Sequence, residues 1–556
     1  MDELELFIKR VLLENAIKYD GTTKANAAMG AVMREYPQYR GDAKTIMPIA
    51  VKVAKEINDL SLEQQQQKLA DLGGSDAPEK EQKDPFDLET TNAILRFEPS
   101  PSGPMHIGHA YSLGLNHLLA ARNDAKLILR IADTNPDNIY EPAYELLEED
   151  AVWYTHDNIS EVAIQSDRME LYYTYAEKLL SQANAYICTC EAEESRENLK
   201  NKTACECRKL PVVEHIQRWE LMRTSWQPGD AVMRLKTDVT HKNPAMRDFP
   251  LMRIHHGNHP RQDNKYTVWP LMNFSVTVDD IEMEMTHVLR AKDHADNAKR
   301  QEYLYEYLNK TPPETYFVGK INFTDLKLST SKTRKLIEEG VYTGWDDIRL
   351  PFLGALKRRG YQAEAFLKFA DEVGITQTDK TVSKQEYFSQ INAFNKEIIE
   401  KDANRAFVVK DPTLISIQDA PKLTITKEKN PYTDKGVRTI VTNGSFYVDK
   451  NDIDDPEGVL FRLIDAYNFK KQGDEWVFVS EDIEDFKQAK NKRIIHYVPE
   501  EDAVSINLLC EDGDLHACKA EASIQEYRED DILQFERVGF ARLDNEQTMT
   551  FWFAHD

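Results

Sequence analysis

Apolar residues recur every three or four positions at the start of the chain: Leu4, Phe7, Ile8, Val11 and Leu12. That spacing predicts an amphipathic helix. Similar patterns over 24–36 and 45–60 predict two more, and the polar stretch 73–83 (GGSDAPEKEQK) predicts a linker. From residue 84 the period changes. The run 93–97 (AILRF) predicts a strand, the loop EPSPSGP follows, and a helix over 106–123 and a strand over 127–131 (LILRI) are expected. Strand, loop, helix and strand in sequence form a βαβ unit of a parallel sheet. An insertion from about residue 186 to 262 interrupts it. Sheet-like alternation returns over 268–278 and continues to about residue 340, and 345–405 read as helical. From about residue 406, short runs such as LTITK, SFYVD, WVFV and VSINLL predict an all-β sandwich or barrel. The expected organisation is a helical appendage with linker (1–83), an α/β domain in two halves (84–185 and 263–344) around an insertion (186–262), a helical region (345–405) and a β-rich end (406–556).

Composition alters this picture little. The chain has 556 residues, 41% of them hydrophobic, enough for several large cores. It has no apolar run of about 18 residues, and its first residues, MDELELFIKR, lack the zones of a signal peptide. A cytoplasmic location without membrane attachment is the expectation. The formal charge of −25 describes a solvating acidic surface. It argues against nucleic-acid binding over the whole surface, but a local basic groove survives within an acidic protein.

Candidate chemistry concentrates in Arg96-Phe-Glu-Pro-Ser-Pro-Ser-Gly-Pro-Met-His-Ile-Gly-His109-Ala110. The segment leaves a strand and opens a helix, where free N–H groups and the dipole favour anions. Gly103 allows a tight approach, and Gly108 leaves space for a flat ring such as adenine. His106 and His109 share one helix face. An isolated HxxH is most often a pair of polar surface histidines; here strand, loop, glycine and histidines coincide. The segment resembles the HIGH signature of class I aminoacyl-tRNA synthetases, in the RFxPxPSGxLHIGHA form of the glutamyl/glutaminyl subgroup. Downstream, Leu326-Lys-Leu-Ser-Thr-Ser-Lys332 resembles the KMSKS loop in the LSTSK form of archaeal glutamyl enzymes. The resemblance implies ATP and Mg²⁺ as cofactors. It implies ATP contacts from Pro99, Ser102, Gly103, His106, Gly108, His109, Leu328, Ser329, Ser331 and Lys332. Thr330 stands where the second lysine of that loop is expected, so Lys327 or Lys332 would carry the phosphate charge, alongside catalytic His106 and His109.

Arg96 and Arg290, the latter in Thr286-His-Val-Leu-Arg-Ala-Lys-Asp-His294, resemble the arginines of glutamyl enzymes. Two guanidiniums suit a dicarboxylate. With Ser100, Asp133 and Met272 they make the expected glutamate-binding set. Two positions depart from the family: Ala132 stands where an acidic residue usually holds the substrate ammonium, and Met272 where a Tyr is usual. Cys188-Thr-Cys190 and Cys205-Glu-Cys207 can enclose a tetrahedral Zn²⁺, and the resemblance adds a zinc knob near the tRNA acceptor end. Arg208 beside it, Lys357, Arg358 and Arg359 in a basic helix, and Lys492 and Arg493 in a basic strand with Lys487 and Lys490, are candidate tRNA contacts. The resemblance covers about residue 92 to the end. It implies a Rossmann-like catalytic domain with an inserted acceptor-binding domain, a helical stem-contact region and a C-terminal β-barrel anticodon-binding region. The implied activity is ATP-dependent ligation of L-glutamate to tRNA(Glu) through a glutamyl-adenylate, with tRNA(Gln) as a second acceptor left open. A protein partner for the helical N-terminus is also left open. The competing readings are a glutaminyl enzyme, a shorter HIGH-type nucleotidyltransferase and a non-catalytic tRNA-binding paralogue.

Overall fold

The computed structural model describes residues 3–18, 21–39, 43–72, 86–88 and 90–556; the expected linker at 73–83 lies outside them. Two compact units divide the chain, Met1–Asp84 and Pro85–Asp556. In the first, helices Glu3–Lys18, Asn26–Glu35, Ala43–Asn58 and Leu62–Asp71 bury Ile8, Leu12, Val32, Ile46 and Val53 in one core, as the three-to-four spacing requires. The buried Gln65 side chain donates to the carbonyls of Gly21 (2.8 Å) and Ile57 (2.9 Å), tying the turn after the first helix to the end of the third.

The second unit is built on parallel strands Ile94–Phe97, Lys126–Ile131 and Glu161–Ile164, in that order. A parallel pair, His287–Ala291 with Glu314–Val318, lies on the other side of the first strand. Two hydrogen bonds join them there: Thr286 N–H donates to the Ile94 carbonyl (3.1 Å), and Ile94 N–H donates to Thr286 Oγ1 (2.8 Å). The chain therefore leaves the strand Ile94–Phe97 toward one side and returns on the other. The carboxyl ends of the strands flanking such a switch point form a natural crevice.

The insertion is an antiparallel sheet of Ala185–Cys188, Val232–Leu235, Pro250–Ile254 and Val268–Pro270. Its last strand lies beyond residue 262, where the sequence pattern ends the insertion. The expected sheet over 268–278 is only this three-residue strand. A helix, Met272–Glu282, follows, and its residues 274–280 are all buried. A helix covered on every side carries no amphipathic stripe, and its β-branched residues then read as a strand.

Helices Leu353–Arg359, Ala363–Val373 and Lys384–Ile399 lead into two seven-stranded sheets. In one, the edge strands Asn404–Ala406 and Val408–Val409 are separated only by Phe407; in the other, Lys492–Ile495 and Val498–Pro499 are separated by His496 and Tyr497. Neighbouring residues can occupy opposite edges only if the sheet curls until its edges meet, so both are barrels. Among the described residues no helix is long and apolar enough to cross a membrane.

Candidate active site

The loop after Ile94–Phe97 enters helix Ile107–Arg122 through His106, whose extended backbone makes it the N-cap. His106 Nδ1 accepts from Gly108 N–H (3.1 Å), and His109 Nδ1 accepts from His106 N–H (3.3 Å). The two rings stack at 4.0 Å. The HxxH spacing thus works as a reciprocal cap that satisfies helix-end donors. Because both Nδ1 atoms accept, each neutral ring carries its proton on Nε2, available to donate. Burial lowers the His106 pKa to about 4. Burial, then the neighbouring His106, holds His109 well below the usual histidine range. In the free protein both rings are neutral at pH 7.

The lysine-bearing loop lies directly on this helix start. A Cβ on Gly108 would meet His106 Cε1 at 2.9 Å and Leu328 Cδ1 at 3.3 Å. A Cβ on Gly103 (φ +156°) would meet Thr330 Cγ2 at 2.1 Å and Trp345 at 3.0 Å. Any side chain at Gly103 pushes the loop off. Helix Thr330–Glu338 begins at Thr330, with Ser329 as N-cap, so Ser331 and Lys332 sit in its first turn. Lys327 and Lys332 are both exposed. Pro99 accepts Ala132 N–H through its carbonyl (2.9 Å), and Ser102 N–H donates to the Ser100 carbonyl (2.8 Å), which shapes the phosphate-side loop.

Beneath the helix start lies a residue the sequence reading missed. Asp150 Oδ2 accepts the Met105 N–H at 2.8 Å. Its burial pushes the carboxyl up to about 7. A folded-state pKa above the ordinary 3.8 means that ionisation costs the fold stability: the contribution is fully present below about pH 4 and lost as pH rises through 7. Asp150→Asn keeps the acceptor and removes the charge. It is expected to melt a few degrees above the parent at pH 8 and nearly together with it at pH 4, as calorimetry at the two pH values would show.

Beside the histidines opens a cavity of about 640 Å³ lined by Arg96, Glu98, Ser100, Ala132, Met272 and Arg290, among others. Arg96 and Arg290 leave from the two strands that flank the switch point. Their electrostatic situations differ. Arg96 is ion-paired with Asp280 (2.8 Å) and Glu98 (3.0 Å). The wholly buried Arg130 pairs with the same two acids at 2.6 and 3.1 Å. Burial alone would raise the Asp280 carboxyl, but the two arginines hold it down at about 2. Asp279 takes Arg168 (2.6 Å), Gln165 and the Tyr172 hydroxyl. Among the described residues Arg290 has no acid: one N–H donates to Gln301 Oε1 (2.8 Å), and its buried Nε has no partner. Burial, then the charge of Arg96, lowers its pKa to about 10. Arg96, Arg130 and Arg168 are paired with the three carboxylates Glu98, Asp279 and Asp280, whereas Arg290 and the cavity-lining Arg253, which donates to Asn135 Oδ1 (2.7 Å), have no carboxylate partner among the described residues.

Asp133 does not belong to this cavity. Ser166 N–H (2.7 Å), Ser166 Oγ (2.6 Å) and the Tyr144 hydroxyl (2.7 Å) all donate to its buried carboxylate, on the far side of the strand end. Side chains alternate across a strand, so if Ala132 faces the cavity its neighbour cannot. Met272 stands at the cavity wall, 42% exposed.

In the insertion, strand Ala185–Cys188 and the turn Glu206–Lys209 bring Cys188, Cys190, Cys205 and Cys207 together, their four sulfurs within 4.8 Å of one another. The Cys188–Cys205 and Cys190–Cys207 separations are both 3.9 Å. A tetrahedron with Zn–S bonds of about 2.3 Å has edges of about 3.8 Å, so the donor set fits zinc. Cys510 and Cys518 lie in a barrel core.

Residues 93–401 match the catalytic domain of class I tRNA synthetases (E and Q), and residues 403–487 and 494–544 match the anticodon-binding domains of the same group. A glutamate–tRNA ligase of Methanocaldococcus jannaschii is 41% identical over 99% of this chain and all of its own length. One of Methanothermobacter thermautotrophicus is 41% identical over the whole of both chains. The chain belongs to the class I tRNA synthetases of the E and Q group. This family membership implies ATP and Mg²⁺. A solved glutamate tRNA ligase of Elizabethkingia meningosepticum aligns with a TM-score of 0.41 at 20% identity, covering 56% of this chain and 70% of that one.

Four of the basic residues singled out as RNA contacts are engaged by partners within this synthetase, and one of these, Arg359, is buried. Arg208 pairs with Asp248 (3.0 Å) and donates to the Thr237 carbonyl. Arg358 grips Asp544 with two nitrogens (2.8 and 2.7 Å) and lies over Trp552. Arg359 is buried and donates to the carbonyls of Phe553 and Ala554. These two fasten helix Leu353–Arg359 to the barrel, which corrects their reading as a tRNA-facing pair; Lys357 alone of the three is exposed. Arg493 donates to the carbonyls of Asp452 and Asp454, while Lys492 is exposed and lies over Phe486. Lys487 is on helix Ile483–Gln488, so the expected basic strand carries only Lys492 and Arg493.

Proposed function

We propose that this chain ligates L-glutamate to tRNA(Glu) in two steps: attack of the glutamate carboxylate on the α-phosphate of ATP, giving glutamyl-adenylate and pyrophosphate, then transfer of the glutamyl group to the terminal hydroxyl of the tRNA with release of AMP. The observation that carries it is the half-buried guanidinium of Arg290 on the cavity wall, which has no carboxylate partner among the described residues and whose Nε is buried without a hydrogen bond. Glutamate, with a net charge of −1, brings a carboxylate to the guanidinium of Arg290, which has none of its own among the described residues. Glutamine, with no net charge, leaves it half-buried and unpaired, at a cost of about 1–3 kcal/mol or more. The full-length likeness to proteins named glutamate–tRNA ligases supports the same choice.

The chain's own groups do little covalent work, so positioning and charge stabilisation dominate. Arg290 holds a carboxylate. Arg96, already paired, adds field rather than a free fork. His106 and His109 offer Nε2–H donors to the triphosphate at a helix start. Lys327 and Lys332, exposed on the loop packed over Gly103 and Gly108, neutralise phosphate charge. Mg²⁺ supplies further neutralisation of the triphosphate when bound. ATP–pyrophosphate exchange with glutamate and with glutamine, each with and without tRNA, tests this reading. Exchange with glutamate alone of the two supports it; exchange with glutamine reassigns the substrate; tRNA binding without exchange leaves a non-catalytic paralogue. Aminoacylation of tRNA(Glu) and tRNA(Gln) transcripts then separates the two acceptors.

The cysteine cluster would hold one structural Zn²⁺ through Cys188, Cys190, Cys205 and Cys207, with Arg218 donating to Cys207 Sγ (3.6 Å). Metal analysis of the purified protein is expected to find about one zinc per chain, as four thiolates close one tetrahedral site. Cys190→Ser is expected to lose it and to lower the melting temperature of the insertion. Full occupancy in that variant would remove Cys190 from the ligand set.

A further inference from the structure

We propose that Glu98 is the residue that binds the α-ammonium of the substrate amino acid. The inference rests on the amino-acid site proposed above and concerns the one substrate group that reading leaves without a partner. An amino acid brings a cation into the cavity as well as its carboxylates, and a buried ammonium needs an anionic acceptor. Among the described residues Glu98 is the one carboxylate on the cavity wall. Asp279 and Asp280 are deeper, each engaged by arginine and almost wholly buried. Asp133 faces the other way, into its own network of Ser166 and Tyr144.

Glu98 is also held in place for the task. Arg96 NH1 lies 3.0 Å from it, Arg130 NH2 3.1 Å, and Gln165 Nε2 3.1 Å. A carboxylate has about four acceptor positions, so three donors orient it and leave room for one more. Its side chain keeps 11% exposure, whereas Asp280 keeps 1%. The strands Ile94–Phe97 and Lys126–Ile131 are parallel neighbours, paired Phe97 to Leu129. Continuing that register and the alternation along each strand puts Glu98 and Ala132 on the face that carries Arg96 and Arg130, and both line the cavity. An acid on either strand end would reach one ammonium; in this chain it is carried on the first.

The test measures binding of glutamate and of glutarate, the same dicarboxylate without the amino group, to the full-length protein with tRNA present. It compares the parent, Glu98→Gln and the double variant Glu98→Gln with Ala132→Glu. In Glu98→Gln, glutamate is expected to bind roughly 10- to 100-fold more weakly, the loss of one charge-assisted hydrogen bond, while glutarate changes by less than about 3-fold. The double variant is expected to recover a preference for glutamate over glutarate, and KM for ATP to stay unchanged in all three. Parallel weakening of glutamate and glutarate would overturn the proposal, showing that Glu98 acts only by steadying Arg96 and Arg130. Unchanged glutamate binding would overturn it too. A parent that binds neither ligand would overturn the glutamate reading itself, an outcome distinct from both. If Glu98→Gln does not fold, Glu98→Asp serves: it is expected to keep the preference for glutamate, and its loss with glutarate binding intact would count against the proposal only where Ala132→Glu fails to restore it.

Discussion

Arg290→Gln is expected to lower kcat/KM for glutamate by roughly 100- to 1,000-fold while leaving the melting temperature unchanged or higher. The two halves of this result have one cause. Arg290 is half-buried with no carboxylate beside it among the described residues, and its buried, unpartnered Nε and depressed pKa report the cost of holding a charge there. Replacing it relieves that cost in the free protein. In the complex the same charge meets a carboxylate in a site partly closed to water, where one preorganised donor is worth about 3–4 kcal/mol. Steady-state kinetics with a melting curve on the same sample check both halves. A variant that loses stability and activity together would make Arg290 a structural residue and remove the main support for a dicarboxylate site.

Asp280→Asn is expected to cost about 3–5 kcal/mol of stability, because it leaves Arg96 and Arg130 buried with too little counter-charge. Asp280 accepts from both at 2.8 and 2.6 Å. Its folded-state pKa, about 2, lies below the ordinary 3.8, so its stabilisation is fully present above about pH 4 and is lost as pH falls through 2. The asparagine variant lacks it at every pH. Urea denaturation at pH 7.5 should therefore separate parent and variant widely, and the gap should narrow as pH is lowered toward 3. The variant should also lose glutamate binding, since Arg96 and Glu98 on the cavity wall depend on the same network. A stable Asp280→Asn protein would mean that Glu98 and solvent together suffice to hold both arginines.

These expectations rest on residues of very different legibility. The histidine helix could be read from sequence because its chemistry is local: a strand end, two glycines and an HxxH lie within one continuous segment. The cysteine cluster was legible for a similar reason, as its two pairs are close in sequence and cysteines are few. Asp133 is placed in the glutamate-binding set from its neighbours in sequence, and only its contacts with Ser166 and Tyr144 show that it faces away from the cavity. Arg358 and Arg359 looked like a surface for RNA because charge in a sequence carries no record of its partner; Asp544 and the carbonyls of Phe553 and Ala554 lie nearly two hundred residues away.

By itself, then, the sequence determined what depends on short stretches of chain: the helical N-terminal unit, the βαβ start of the catalytic domain, the nucleotide-side signatures and the β-rich end. Only the tertiary structure decided which charges are compensated. Among the described residues it showed Arg96 neutralised, Arg290 bare, Asp280 and Arg130 locked together, and Glu98 alone as an acid on the cavity wall. The physical reason is that the electrostatic state of a side chain is set by burial and by neighbours a few ångströms away. In a parallel sheet with crossovers those neighbours come from strands and helices more than a hundred residues apart, so no local pattern along the chain encodes them.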